Sequence, residues 1–145
     1  MTRREVDLDL AQSMVAAALA EARSRGALVS AAVVDAGGHL VAFARMDGAE
    51  IAGPVLAPDK AYTAVAHRIG TDELAPLVAP GGELAGMYAA GGGRFVCFAG
   101  GLPLWAGERV VGGVGVSGGT AEQDLAAARA GAAVFTTALG AGSAP

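Results

Sequence analysis

The sequence predicts an α+β fold of the profilin or PAS kind, with α-β-α layers around a five-stranded antiparallel sheet. Three observations predict it. Strand-length apolar runs fall into two groups, 28–46 and 94–117, and within each group only short glycine-containing turns separate them, so consecutive strands pair antiparallel. Helical patterns stand before, between and after these groups, enough to cover a sheet on both faces. The 145 residues show no internal repeat and no second composition zone, so residues 1–145 read as one domain. A domain of that size buries roughly 70% of its unfolded surface.

Residues 8–25 predict the first helix, because Leu10, Met14, Ala18 and Ala22 recur every four residues. Asp7 or Asp9 caps its start and Gly26 ends it. "LVSAAVVD" (28–35) and "HLVAFARM" (39–46) form a hairpin around "AGG". The first of these strands is apolar on both faces, which places it centrally in the sheet. "GAEIAGPVLAP" (48–58) reads as a loop or a weakly started helix, with Pro58 in the first turn of a helix running to about Ile69. A short helix starts at Thr71, and 79–93 is a glycine-rich connection with at most one helical turn. "RFVCFA" (94–99), "LPLWA" (102–106) and "RVVGGVGVS" (109–117) predict three further strands. A long helix follows, opened by a capping box of Thr120 and Gln123, and residues 140–145 read as a frayed tail.

Composition narrows the function. Hydrophobic residues make up 53%, yet there are one Trp, two Tyr and four Phe, so the core must be tight and built from small residues. Mean hydropathy is +0.47, but no apolar run approaches the roughly 18–20 residues that span a bilayer. The surplus apolar surface predicts subunit interfaces, and so a homo-oligomer. The net charge of −4 and the lack of a basic cluster exclude a nucleic-acid footprint. "MTRREVDLDL" has no apolar signal region, so the expected location is cytoplasmic. Cys97 stands alone, which excludes an internal disulfide and a cysteine zinc site. No His, Asp and Glu cluster has metal spacing.

"GGVGVSGGT" (112–120) matches two catalytic patterns at once. Gly113, Gly115 and Gly118 fit the dinucleotide fingerprint, but no second parallel strand or ribose-binding acid follows. Gly115, Ser117 and Gly119 fit a hydrolase nucleophile elbow, but both histidines precede Ser117. What remains is close packing of strand and helix, or amide N–H groups turned to an anionic ligand, with Ser117 as a hydrogen-bonding group.

Lys60, Ala64 and His67 share one helix face. An ammonium and an imidazole there would hold an anion and supply a general acid or base; the alternative is a solvated face with Lys60 paired to Asp59 or Asp124. Arg45 and Asp47 lie on one side of a strand end, either to bind a carboxylate or to pair locally. Asp35 suits a turn-forming role, His39 an exposed turn position and Cys97 a buried one. Met46, Met87 and Tyr88 are candidate haem ligands, the latter two also residues of a lid. Trp105 reads as core or interface.

"AVVDAGGHLVAFARMDGA" (32–49), "KAYTA" (60–64), "AGGLPLWAGERVVGGVGVSGG" (99–119) and "EQD" (122–124) together resemble the GlcG/HbpS haem-binding-protein-like family, also found as the C-terminal domain of PduO-type corrinoid adenosyltransferases. The likeness runs from about residue 8 to 137. It implies a profilin-like fold with a five-stranded sheet, homo-oligomers (dimer, tetramer or octamer), and a small-molecule ligand, whether haem, a corrinoid or another anion. Matched positions are Asp35, Arg45, Asp47, Lys60, Gly100, Gly101, Ser117, Gly118, Gly119 and Asp124. The resemblance implies ligand contacts from Arg45, Asp47, Lys60 and 117–119, with Asp35, Gly100, Gly101 and Asp124 supporting the pocket. The chain departs from the pattern in three ways: "GPVLAPDK" before Lys60 has two prolines where relatives run into a helix, His67 replaces an apolar or aromatic residue, and the first helix carries no histidine to ligate haem. The alternative function is a cofactor-free isomerase, lyase or hydrolase, acting on a small carboxylate-bearing substrate through Lys60 and His67.

Overall fold

The structure, a computed structural model, describes residues 5–142. Helix α1 (Leu8–Ser24) starts where Asp7 Oδ1 accepts the Leu10 N–H at 2.9 Å. That cap satisfies one of the amides a helix start leaves open. The hairpin of β1 (Ser30–Asp35) and β2 (Leu40–Arg45) follows. Helices α2 (Gly53–His67) and α3 (Thr71–Val78) come next. Two short 3-10 turns, 87–89 and 91–93, lead to β3 (Gly101–Ala106) and β4 (Arg109–Ser117). Helix α4 (Ala121–Gly142) closes the order. It runs beyond the expected start of the tail at 140, and residues 143–145 of that tail lie outside the described residues.

The sheet has four antiparallel strands in the order β2-β1-β4-β3. Strand β1 is central, as its doubly apolar sequence requires. The fifth expected strand, 94–99, is not one. Its backbone is engaged by a helix instead: the Val96 N–H donates to Thr63 Oγ1 at 2.9 Å, in α2. The segment lies along α2 and α3, with Cys97 packed against Leu74 and Val78. Its alternation therefore reflects packing on helices. Helix α2 also begins earlier than expected, at Gly53. Pro54 occupies the first turn, where a missing N–H costs nothing, and Pro58 falls inside the helix.

Helices α1 and α4 cover one face of the sheet and α2 covers the other. Met14, Ala18, Val33, Val114, Val116 and Phe135 form the core on the α1/α4 side. On the other side Ala57, Ala61 and Ala64 of α2 are fully buried. They seat on Gly113 and Gly115: a Cβ on Gly115 would run into the Ala57 carbonyl, and one on Gly113 would come within 2.7 Å of the Ala61 oxygen. The glycines of the fingerprint-like stretch thus admit a helix backbone flush against the sheet. Among the described residues no helix is long and apolar enough to cross a membrane.

Gly115→Ala should overpack this contact and destabilise the fold by about 1–3 kcal/mol. Urea unfolding would show a lower midpoint at unchanged slope; an unchanged midpoint would contradict the flush packing.

Candidate functional site

Lys60 is the largest fully buried side chain among the described residues. It leaves α2 at the end of the sheet where α4 begins. Its Nζ donates to the Val116 carbonyl at 2.9 Å and to Asp124 Oδ2 at 3.1 Å. The same atom lies 4.9 Å from the centre of the Phe98 ring. An ammonium has three N–H groups, and two oxygens and a π face account for them. Burial pushes the Lys60 pKa below its ordinary value, while the charge and hydrogen bond of Asp124, and the charge of Glu50, pull it back up. Of the two partners weighed for Lys60, Asp124 is the one it meets, and the pair is buried rather than solvated.

Asp124 uses its other oxygen to accept the Gly119 N–H at 2.8 Å. The next amides form the expected capping box: the Thr120 N–H donates to Gln123 Oε1, and the Gln123 N–H to Thr120 Oγ1. The amides of Gly119 and Thr120 therefore have partners within the chain. Gly118 turns the chain with φ +139, a conformation that suits glycine. Ser117 is buried in the ladder opposite Ser30. Gly100 and Gly101 pass so close to Lys60 that a side chain on either would strike it.

His67 sits at the last turn of α2 against a different partner. Its ring meets the Phe95 ring edge-on at 4.5 Å, and its Nε2 is buried without a hydrogen bond. Phe95 in turn stacks on Tyr62, whose other neighbour is the Arg94 guanidinium, itself paired with Asp59 at 2.9 Å. An apolar hollow of about 320 Å³ adjoins this stack, lined by Val78, Tyr88, Phe95, Cys97 and Phe98 among others. Burial pushes the Cys97 thiol pKa up, away from the thiolate that reacts or ligates. Thr63 is fully buried and joins α2 to Val96, accepting the Val96 N–H and donating to the Asp59 carbonyl at 2.6 Å.

Arg45 and Asp47 are exposed at the end of β2, flanking buried Met46. The Met46 sulfur accepts the Val29 N–H at 3.3 Å, which makes that residue part of the core. Trp105 is 44% exposed on the edge strand β3. Strand β2 forms the other edge, and with α1 it walls a hollow of about 510 Å³. Leu8, Val15, Leu19, Val41 and Phe43 line it, and Gln12 is its polar side chain. Sequence reading missed this hollow, although Leu40 and Phe43 on β2 and Leu8 on α1 were apolar at positions that prove exposed.

Residues 6–133 match a family model described as haem degrading protein HbpS-like. The chain is 41% identical over 119 residues to an uncharacterised 15.0 kDa protein of Citrobacter freundii, covering 82% of this chain and 84% of that one. It is 40% identical to the corrinoid adenosyltransferase PduO of Salmonella typhimurium over 75% of its own length, but spans only 32% of that relative. Among solved structures, a PduOC:heme complex aligns with a TM-score of 0.81 and 37% identity, covering 85% of this chain and 89% of that one.

Removing one partner of the Lys60–Asp124 pair should cost about 3–5 kcal/mol, because the other charge stays buried. Lys60→Met and Asp124→Leu should each lower the urea midpoint strongly, and the double variant should recover much of the loss. A double variant as unstable as the sum of the singles would contradict the pairing. Because the folded Lys60 pKa lies below the ordinary 10.5, the unfolded chain holds the extra proton between those two values. Lys60 therefore makes stability rise with pH in that alkaline window. The double variant should lack this rise, and an identical pH profile would contradict it.

Proposed function

The chain belongs to the HbpS-like family, and on that premise we propose that it binds a small molecule, a flat tetrapyrrole of the haem type, in the hollow between α1 and β2. The observation that carries the reading is the hollow itself. Its volume of about 510 Å³ lies within the usual range for ligand sites, roughly 300–1,000 Å³. Eight of its nine described lining residues are apolar, and apolar walls favour a porphyrin face by about 25 cal/mol per Å² removed from water. Kinship with the haem-complexed PduOC supports the choice of ligand.

The residues fit the group in part. Among the described residues, the α1–β2 walls provide an apolar bed but no imidazole, thiol, thioether or phenol for iron. Arg45 follows Ala44 of that wall along β2 and is exposed, so it is the cation at hand for a ligand carboxylate. Lys60 keeps its donors within the chain, away from this hollow. When bound, haem supplies a redox-active iron; the chain's part is to seat the ring, exclude water from one face and pair its acidic groups.

Hemin titrated into the purified chain should shift the Soret band and saturate. Phe43→Glu places a charge against the apolar bed and should weaken binding by about tenfold or more. Trp105→Ala, on the opposite edge of the sheet, should leave binding unchanged. A Soret band identical to that of free hemin at every protein concentration would refute the reading.

A further inference from the structure

The two edges of the sheet are unlike. At the β3 edge the Gly101 N–H donates to Thr71 Oγ1 of α3 at 2.9 Å. Pro103 has no N–H to offer, and the register with β4 shifts between Leu104 and Trp105. Proline, a broken register and a covering helix are common means of closing a strand edge. Strand β2, the other edge, has none of these over Ala42–Arg45. Its one irregularity lies earlier, where the pairing shifts between Val33 and Val34. Leu40 and Phe43 are exposed on it, and its only charge is its last residue, Arg45.

The backbone directions along this edge follow from one bond. The Met46 N–H donates inward to the Val29 carbonyl at 3.0 Å. Residues two apart in an antiparallel strand turn N–H and C=O to the same side. Ala44 and Ala42, opposite Ala31 and Val33, therefore bond to β1, and Phe43 and Arg45 turn their groups to the open side. Among the described residues no strand pairs there.

Such an edge is complementary to a second copy of itself. Set antiparallel about Phe43, two copies exchange both N–H···O=C bonds between their Phe43 residues, with Cα atoms about 5.5 Å apart, and the two rings meet across the axis. Charge selects this register. It holds the two Arg45 residues four strand positions apart, about 14 Å, whereas an axis on Ala44 would bring them to about 7 Å. It also sets each Arg45 toward the end of the partner that carries the Asp35 carboxylate and the His39 imidazole. We propose that β2 pairs with β2 of a second copy about Phe43, joining the two four-stranded sheets into one. The contact is isologous, the commonest kind in homo-oligomers. A two-fold axis normal to the sheet keeps both α1 helices on one face, so the two α1–β2 hollows open side by side across it. The pairing does not rest on the tetrapyrrole reading.

The test uses the full chain. It should sediment at no less than twice the 14.1 kDa chain mass. The Phe43 and Arg45 amides should exchange hydrogen about tenfold or more slowly than in an unfolded chain, as paired amides do. Phe43→Cys in a Cys97→Ala background should close a disulfide across the axis under mild oxidation, since about 5.5 Å between Cα atoms suits one; Trp105→Cys in that background, on the closed edge, should stay unlinked. Phe43→Pro removes the outward N–H, leaves the ladder with β1 in place, and should at least halve the mass. Exchange in the wild type decides the matter whether or not that variant folds. A wild-type chain that stays monomeric, an oligomer whose Phe43 and Arg45 amides exchange at unfolded rates, or a folded Phe43→Cys protein that links no faster than Trp105→Cys overturns the proposal.

Discussion

The buried ammonium of Lys60 is the constraint around which the rest of the structure is arranged. A charge removed from water costs several kcal/mol unless every donor is answered. Here the answers come from three separate elements: the Val116 carbonyl at the end of β4, the Asp124 carboxylate in the first turn of α4, and the Phe98 ring of the segment before β3. The Asp124 side chain is itself held by the Gly119 N–H, and a carboxylate in a first helical turn is favoured by the helix dipole. One side chain thus ties the α2 layer to the start of the α4 layer across the end of the sheet. The glycines and alanines between α2 and β4 are the condition for it, since a thicker contact would lift Lys60 away from its partners.

This arrangement separates two roles that the sequence places side by side. The glycine stretch at 112–120, with Lys60 and Asp124, has the residue types of an anion site. In the fold their donors and acceptors are largely spent on one another. Among the described residues, the outward-facing apolar side chains gather elsewhere, on the wall of α1 and β2. Stability is concentrated at the α2–β4–α4 junction, and the proposed recognition site lies at the β2 edge of the sheet, where β2 has a neighbour on one side only.

What was legible in the sequence was what is decided locally. The first helix cap, the glycine turn after β1 and the Thr120–Gln123 box each depend on residues within four positions of one another; the turn and the box stand as read, and of the two caps offered, Asp7 and Asp9, the fold uses Asp7. The family was legible too, because several motifs kept their order over most of the chain. Residues 94–99 misled because a segment packed on a helix face can alternate like a strand; the deciding contact, Val96 to Thr63, spans 33 positions. Pro58 misled because Pro54, four residues earlier, was equally able to open the helix. For Lys60 the sequence offered Asp59 and Asp124 alike, and only the fold chooses between a neighbour and a residue 64 positions away. The α1–β2 hollow had no local sign, since its walls are the outward residues of two elements far apart in the chain.

The claim that recognition lies at the α1–β2 edge, away from Lys60, is tested most directly by amide NMR of the labelled chain with a diamagnetic gallium protoporphyrin. Shift changes should gather in α1, the β1–β2 turn and β2, from Leu8 to Leu19 and from Asp35 to Arg45, while Lys60 and residues 117–124 stay in place. Changes centred on Lys60, Ser117, Gly118 and Gly119, with the α1–β2 edge silent, would contradict it.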